Sequence, residues 1–225
     1  MMRRALLAIM LAGSAVSAQQ RDISGAWELS VDGRRVPPAN LAPSVTKAVL
    51  DEVAQKDAHS VRWCLPLGMP FTMGGHGRPI DIRQGTRHVV ISAESALAPA
   101  RYIYLNRSSH IKHEEFEPTT SGDAIGRWEG DALVVDTVGF SSTKGMLSIP
   151  GGGFRTETTH LTERYRLLKE GSLLSVTFTW EDPKVFATPH AYEFRYHRLL
   201  ATYEPRATLP CDAFDEARTA FLERE

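Results

Sequence analysis

The chain has 225 residues, a formal net charge of −1 and two cysteines, with 24% of its residues charged and 42% hydrophobic. That profile suits one ordinary globular domain and excludes a disordered chain, a disulfide-knotted miniprotein and a collagen-like repeat. With 26 basic residues facing 27 acidic ones, it argues against a nucleic-acid binder working by bulk charge, and the length falls short of the about 250 residues of an eight-unit βα barrel.

Met1 to Ala18 reads as a secretory signal peptide. Arg3 and Arg4 form a positive start, Ala5 to Ala12 a short apolar run, and Val16 and Ala18 the small residues of a cleavage site before Gln19. The run is far below the roughly 20 residues that cross a bilayer, and no other segment approaches that length. The expectation is a periplasmic or secreted protein cleaved near Ala18, with residues 19–225 as a single domain and no stable membrane insertion. Export changes the reading of the cysteines: in an oxidising compartment Cys64 and Cys211 are expected to pair.

Along the mature chain the pattern is mostly strand. Ile23 to Val31 alternates as a half-buried strand does. Ala42 to Asp57 carries Val45, Val49, Leu50 and Val53 at helical spacing, which predicts a short N-terminal helix. Cys64 to Pro79, with three prolines and four glycines, reads as loop. His88 to Glu94 and Arg101 to Asn106 are rich in β-branched and aromatic residues. GRWEGDALVVDTVGF predicts a hairpin turning at Glu129-Gly130-Asp131. Ser141 to Phe154 reads as a mobile glycine-rich loop.

A second hairpin runs from Thr158 to Leu168, turns at Lys169-Glu170-Gly171 and returns from Ser172 to Trp180, stopped by Glu181-Asp182-Pro183. His190 to Leu199 is a further strand. Asp212 to Arg224 predicts a C-terminal helix capped by Asp212. Eight or so hairpin-connected strands in about 200 residues imply a mainly β fold, a single antiparallel β-barrel with a helix towards each end.

CLPLGMP, RYIYLNR, GRWEGDALVVDTVGF, THLTERYRLL and the EDP run occur here in an order that resembles a large group of exported bacterial proteins of unassigned function. The resemblance covers roughly Cys64 to Cys211. This chain departs from the usual pattern at Leu105-Asn106-Arg107, where the group has aspartate-glycine-arginine, and at His110-Ile111, where it has His-Pro. The opening Gly25-Ala26-Trp27 is similar to the first strand of lipocalin-like barrels. That likeness implies an apolar interior binding a small hydrophobic molecule; a minority of such barrels dehydrate, isomerise or cyclise their ligand.

Splitting strands into alternating faces isolates three charges. Glu163 shares a face with Leu161, Tyr165 and Leu167; Asp136 with Val134, Val138 and Phe140; Arg101 with Ile103 and Leu105. A buried charge persists only when paired, shifted in pKa or solvated. Two readings follow. In one, Arg101 pairs internally with Asp136 or Glu163 and the network merely fixes the barrel. In the other, the three line a ligand cavity, with a carboxylate as general acid or base and the arginine holding an anionic group.

His160 falls on the face opposite Glu163, either as a surface residue or on a pocket rim. His110 and His113 form H-x-x-H beside Glu114 and Glu115, but no second cluster completes a metal site, so no metal is assigned. G-x-S-x-G, H-E-x-x-H, Walker and dinucleotide motifs are absent, and no cofactor is expected.

The functional expectation is a cofactor-independent lyase, dehydratase or isomerase working by acid–base chemistry on a small hydrophobic or aromatic molecule inside the barrel. Glu163, Asp136, His110 and His160 are the candidate proton-transfer groups. Arg101, Tyr104, Trp128 and Trp180 are the candidate ligand contacts. The alternative is a non-catalytic periplasmic carrier, for which the pocket would be apolar and the charges would pair away from it. A filled barrel with a structural role is the third possibility.

Overall fold

Nine strands close into a barrel in the computed structural model, which describes residues 22–74 and 77–204. The strands are β1 (Gly25–Arg35), β2 (Ile80–Gln84), β3 (His88–Ala93), β4 (Arg101–Tyr104), β5 (Asp123–Glu129), β6 (Ala132–Val138), β9 (His160–Leu168), β10 (Leu173–Glu181) and β11 (His190–Arg198). They are ordered β1-β11-β10-β9-β6-β5-β4-β3-β2 around the wall. Closure leaves the barrel no free sheet edge. Both predicted hairpins form, β5–β6 across Glu129↔Ala132 and β9–β10 across Leu168↔Leu173.

Four expectations need correction. The barrel is not wholly antiparallel: β4 and β5 pair in parallel, Ile103 against Ala124 and Tyr104 against Ile125. The physical reason is the long connection from Leu105 to Gly122, which crosses back to the starting end of the barrel instead of turning in place. Strand β2 was missed, because Ile80-Asp81-Ile82 gives only one alternation after Pro79. The segment read as a mobile loop instead holds a small second sheet, β7 (Ser148–Ile149) with β8 (Gly153–Phe154). The helix α1 spans Lys47–Arg62 and starts after Ala42 and Pro43, because Thr46 caps it by accepting from the Val49 N–H at 3.4 Å. The signal peptide, Cys211 and the C-terminal helix lie outside the described residues.

One end of the barrel is shut by Trp27, fully buried, whose Nε1 donates to the Ile23 carbonyl at 3.1 Å and whose ring lies 4.1 Å from the Arg198 guanidinium. The other end is plugged by the loop that runs from Leu67 to Gly74. Met69 and Met73 from this loop are fully buried in the core with Tyr165, Phe178, Trp180 and Tyr196. The Tyr196 hydroxyl donates to the Met73 carbonyl, and the Tyr165 hydroxyl lies 3.8 Å from its sulfur. Gly68 turns the loop at φ 70; a Cβ there would sit 2.2 Å from the Thr120 carbonyl oxygen, so no other residue fits.

Helix α1 braces the same end through an unusual buried face, Val53, Asp57 and Ser60. The Asp57 carboxylate accepts from the Leu147 and Ser148 N–H groups at 2.6 and 3.1 Å, and the Ser60 hydroxyl donates to the Gly145 carbonyl at 3.1 Å. Arg155, also buried, donates to the carbonyls of Met146 and Thr120. Burial pushes its guanidinium down to about 10, against the opposing pull of the Asp57 carboxylate. These polar ties fix a region whose glycine content reads as loose.

Candidate functional site

The interior of the barrel holds one charged network. Arg101 and Glu163 are 1% and 0% exposed, facing each other from β4 and β9. The Arg101 Nη1 donates to Glu163 Oε1 at 2.7 Å and its Nη2 to Oε2, a two-pronged fork. Arg101 Nη2 also donates to the Thr137 hydroxyl at 2.9 Å, and the Tyr165 hydroxyl donates to Glu163 Oε1 at 2.8 Å. Burial opposes the arginine's charge, yet the facing Glu163 carboxylate outweighs it and holds the guanidinium above its usual range. Burial likewise pushes the Tyr165 phenol up, beside the same carboxylate. Glu163 thus has its acceptor positions occupied by its own neighbours, and the pair is the internal network that the sequence left as one of two readings. On β5, Ala124 lies opposite Ile103, and a Cβ at Gly126 would sit 2.8 Å from the Ile103 side chain.

Asp136 is not part of this network, which corrects its expected face. The inward residues of β6 are Leu133, Val135 and Thr137, all fully buried; Asp136 points outward and is about a third exposed. Phe140 misled the assignment: Gly139, at φ 71, breaks the alternation, so Phe140 turns inward although Asp136 does not.

On the outer wall Asp136 meets the two histidines singled out in sequence. The His160 Nε2 hydrogen-bonds Asp136 Oδ1, and the His110 Nε2 lies 3.7 Å from the same oxygen. The other nitrogen of each ring faces a second carboxylate: His110 Nδ1 hydrogen-bonds Asp123 Oδ2 at 3.1 Å, and His160 Nδ1 lies 3.4 Å from Glu181 Oε2. Asp123 is 3% exposed and also accepts from Arg107 Nη2 and from the Ile111 N–H at 3.0 Å. Burial raises its pKa, but those donors and His110 outweigh it, so its carboxyl lies below the usual carboxylate range. The Arg107 guanidinium stacks 4.0 Å from the Tyr104 ring. The result is a chain of alternating acids and imidazoles, Asp123–His110–Asp136–His160–Glu181, drawn from β5, the β4–β5 connection, β6, β9 and β10.

The third feature is a crevice of about 270 Å³ at the plugged end. It lies between the plug loop, the β7–β8 sheet and the rim of β1 and β11. Val36, Pro70, Met146, Ile149 and Phe194 supply apolar lining, and Arg34 is its charged residue. The Arg34 guanidinium donates to the Gly74 carbonyl at 2.6 Å and lies 5.8 Å from the Phe194 ring.

The sequence-predicted residues therefore separate into three places. Glu163 and Arg101 lie in the core. Trp180 is fully buried there too, its Nε1 donating to the Tyr192 hydroxyl at 3.1 Å, and Trp128 packs half-buried against the same core. Asp136, His110 and His160 form the outer cluster. Tyr104 is exposed on the outer wall rather than facing a barrel ligand. Sequence reasoning missed Asp123, Arg107, Glu181 and Arg34. Asp123 follows Ser121-Gly122 and reads as a turn residue; Glu181 looked like a strand terminator. Cys64 lies directly after α1, and its expected partner Cys211 is outside the described residues.

No protein-family model matches the chain, and no curated protein matches it in sequence. Among solved structures, a mutant of the fluorescent protein UnaG is similar at 12% identity, covering 80% of this chain and 96% of that one, with a TM-score of 0.37.

Proposed function

We propose that the barrel binds a small, largely hydrophobic molecule in the crevice at its plugged end. The observation that carries this reading is the crevice itself: apolar side chains from four separate segments surround a space of about 270 Å³, with one guanidinium at its edge. Ligand sites are concave, mostly apolar and equipped with few polar groups. The core is packed by large aromatic side chains, and both Glu163 oxygens are engaged by Arg101 and Tyr165, which favours the mouth over the core as the place for a ligand.

A carrier and an enzyme both need such a site. The lyase, dehydratase or isomerase expected from sequence would not use Glu163, whose oxygens are engaged by Arg101 and Tyr165. Asp136, His110 and His160 are not among the residues that line the crevice. Export through Met1–Ala18 to the periplasm or beyond, and a Cys64–Cys211 bridge, belong to the same proposal.

Titration with the fluorophore anilinonaphthalene sulfonate tests the site. Saturable binding by the native protein is expected, with loss of about tenfold in affinity or more for Val36→Trp, which fills the crevice from a partly exposed position. Absence of binding, or binding equal in the two proteins, would overturn the proposal.

A further inference from the structure

The outer cluster has features that a surface ion-pair network does not require. Exposed charges usually pair two by two and contribute little. Here two imidazoles converge through their Nε2 atoms on one carboxylate oxygen, Asp136 Oδ1. Each ring also faces a separate carboxylate at its Nδ1 side, Asp123 for His110 and Glu181 for His160. His110 Nε2 is closed off from solvent and makes no hydrogen bond among the described residues. The Asp136 side chain is about a third exposed, and its second oxygen, Oδ2, has no hydrogen-bond partner among the described residues. One carboxylate oxygen is thus held by His160, with His110 close by, while the other stays available.

We propose that Asp136 is the general base of an acid–base site on the outer wall of the barrel, its Oδ1 held by the His160 Nε2 and its Oδ2 turned to the substrate. The site takes a small uncharged carbon acid, a molecule whose C–H is acidified by a neighbouring electron-withdrawing group. Three carboxylates, Asp123, Asp136 and Glu181, surround it against one guanidinium, Arg107, which Asp123 already engages. That balance repels an anionic substrate. Asp136 Oδ2 removes the proton, and the electron pair of the C–H bond moves into the substrate. The proton stays on Asp136 Oδ2. It then returns to a second position of the same molecule in an isomerisation, or to the leaving oxygen in an elimination. Neither course needs an oxidant, a reductant or a co-reactant. Each histidine is oriented by its second carboxylate. Arg107 acts through Asp123 and is a positioning residue.

The inference is independent of the crevice, and its test uses a different probe. Nitrobenzisoxazole is a neutral carbon acid: a base removes its ring C–H proton, the N–O bond breaks, and the electron pair ends on the oxygen of a coloured cyanonitrophenolate. The full chain is expected to accelerate this elimination above the rate given by free acetate and imidazole together. Asp136→Asn is expected to lower kcat/KM by about 100-fold, within the range of general-base contributions. His160→Gln lowers it by about tenfold, and His197→Gln, exposed on β11 away from the cluster, leaves it unchanged. Added formate is expected to restore rate to Asp136→Ala, a readout that a structural role for Asp136 would not produce. A native protein no faster than the free buffers, an Asp136→Asn variant within twofold of native, or an Asp136→Ala variant that folds but is not restored by formate would overturn the proposal. Loss of anilinonaphthalene sulfonate binding would refute the crevice alone.

Discussion

Replacing Glu163 by glutamine keeps the shape of the side chain but removes its charge, leaving the Arg101 guanidinium buried with no carboxylate. Both side chains are within 1% of complete burial, so water does not reach the uncompensated cation. Removing one partner of such a pair costs about 3–5 kcal/mol. For a domain of this size, each kcal/mol lowers the melting temperature by about 2–4 °C, so Glu163→Gln is expected to melt about 6–20 °C below native. The second half of the cycle is Arg101→Met with Glu163→Gln. Here no charge remains inside, Thr137 and Tyr165 keep a neutral acceptor nearby, and most of the lost stability returns, because a buried ion pair contributes little net stability over an apolar replacement. Urea unfolding followed by circular dichroism measures both. A cost below about 1 kcal/mol for Glu163→Gln, or a double variant no more stable than the single one, would refute the reasoning.

Asp123 titrates below the usual carboxylate range in the folded state. Its contribution to stability is therefore complete above the unfolded value of about 3.9 and is lost as pH falls through the lower folded value. Asp123→Asn should flatten the pH dependence of the melting temperature in that acid window and leave the slope near pH 7 unchanged. For the cysteines, titration in denaturant should find no free thiol before reduction and both thiols after it; free thiols in the unreduced protein would remove the bridge.

How much of this could be read from the chain depends on how regular each strand is. β9 alternates without a break from His160 to Arg166, and the inward position of Glu163 follows because the outward side carries His160, Arg164 and Arg166. β6 defeats the same method. Ala132, Leu133, Val134 and Val135 are all buried, so the hydrophobic pattern has no period from which to choose a face, and the break at Gly139 shifted the phase. The ion pair was legible as a pair of charges on apolar faces, but its partnership depends on the strand order, which places β4 and β9 across two intervening strands. The outer cluster was legible as residue types only. His110, Asp136 and His160 stood out individually, and nothing local says that residues 24 and 26 positions apart meet on one carboxylate.

The parallel contact between β4 and β5 has a consequence for how the wall opens. It consists of two register positions, Ile103↔Ala124 and Tyr104↔Ile125, whereas the β9–β10 contact runs from Leu173↔Leu168 to Glu181↔His160. It joins segments separated by a long crossover, so it closes late and forms the seam along which the cylinder would part first. Arg101 starts β4 and its guanidinium reaches past β5 to Thr137 on β6 and Glu163 on β9. The ion pair is therefore a clasp over the seam. Amide exchange in β4 and β5 is expected to speed up when the clasp is cut, before that of β9 and β10 changes.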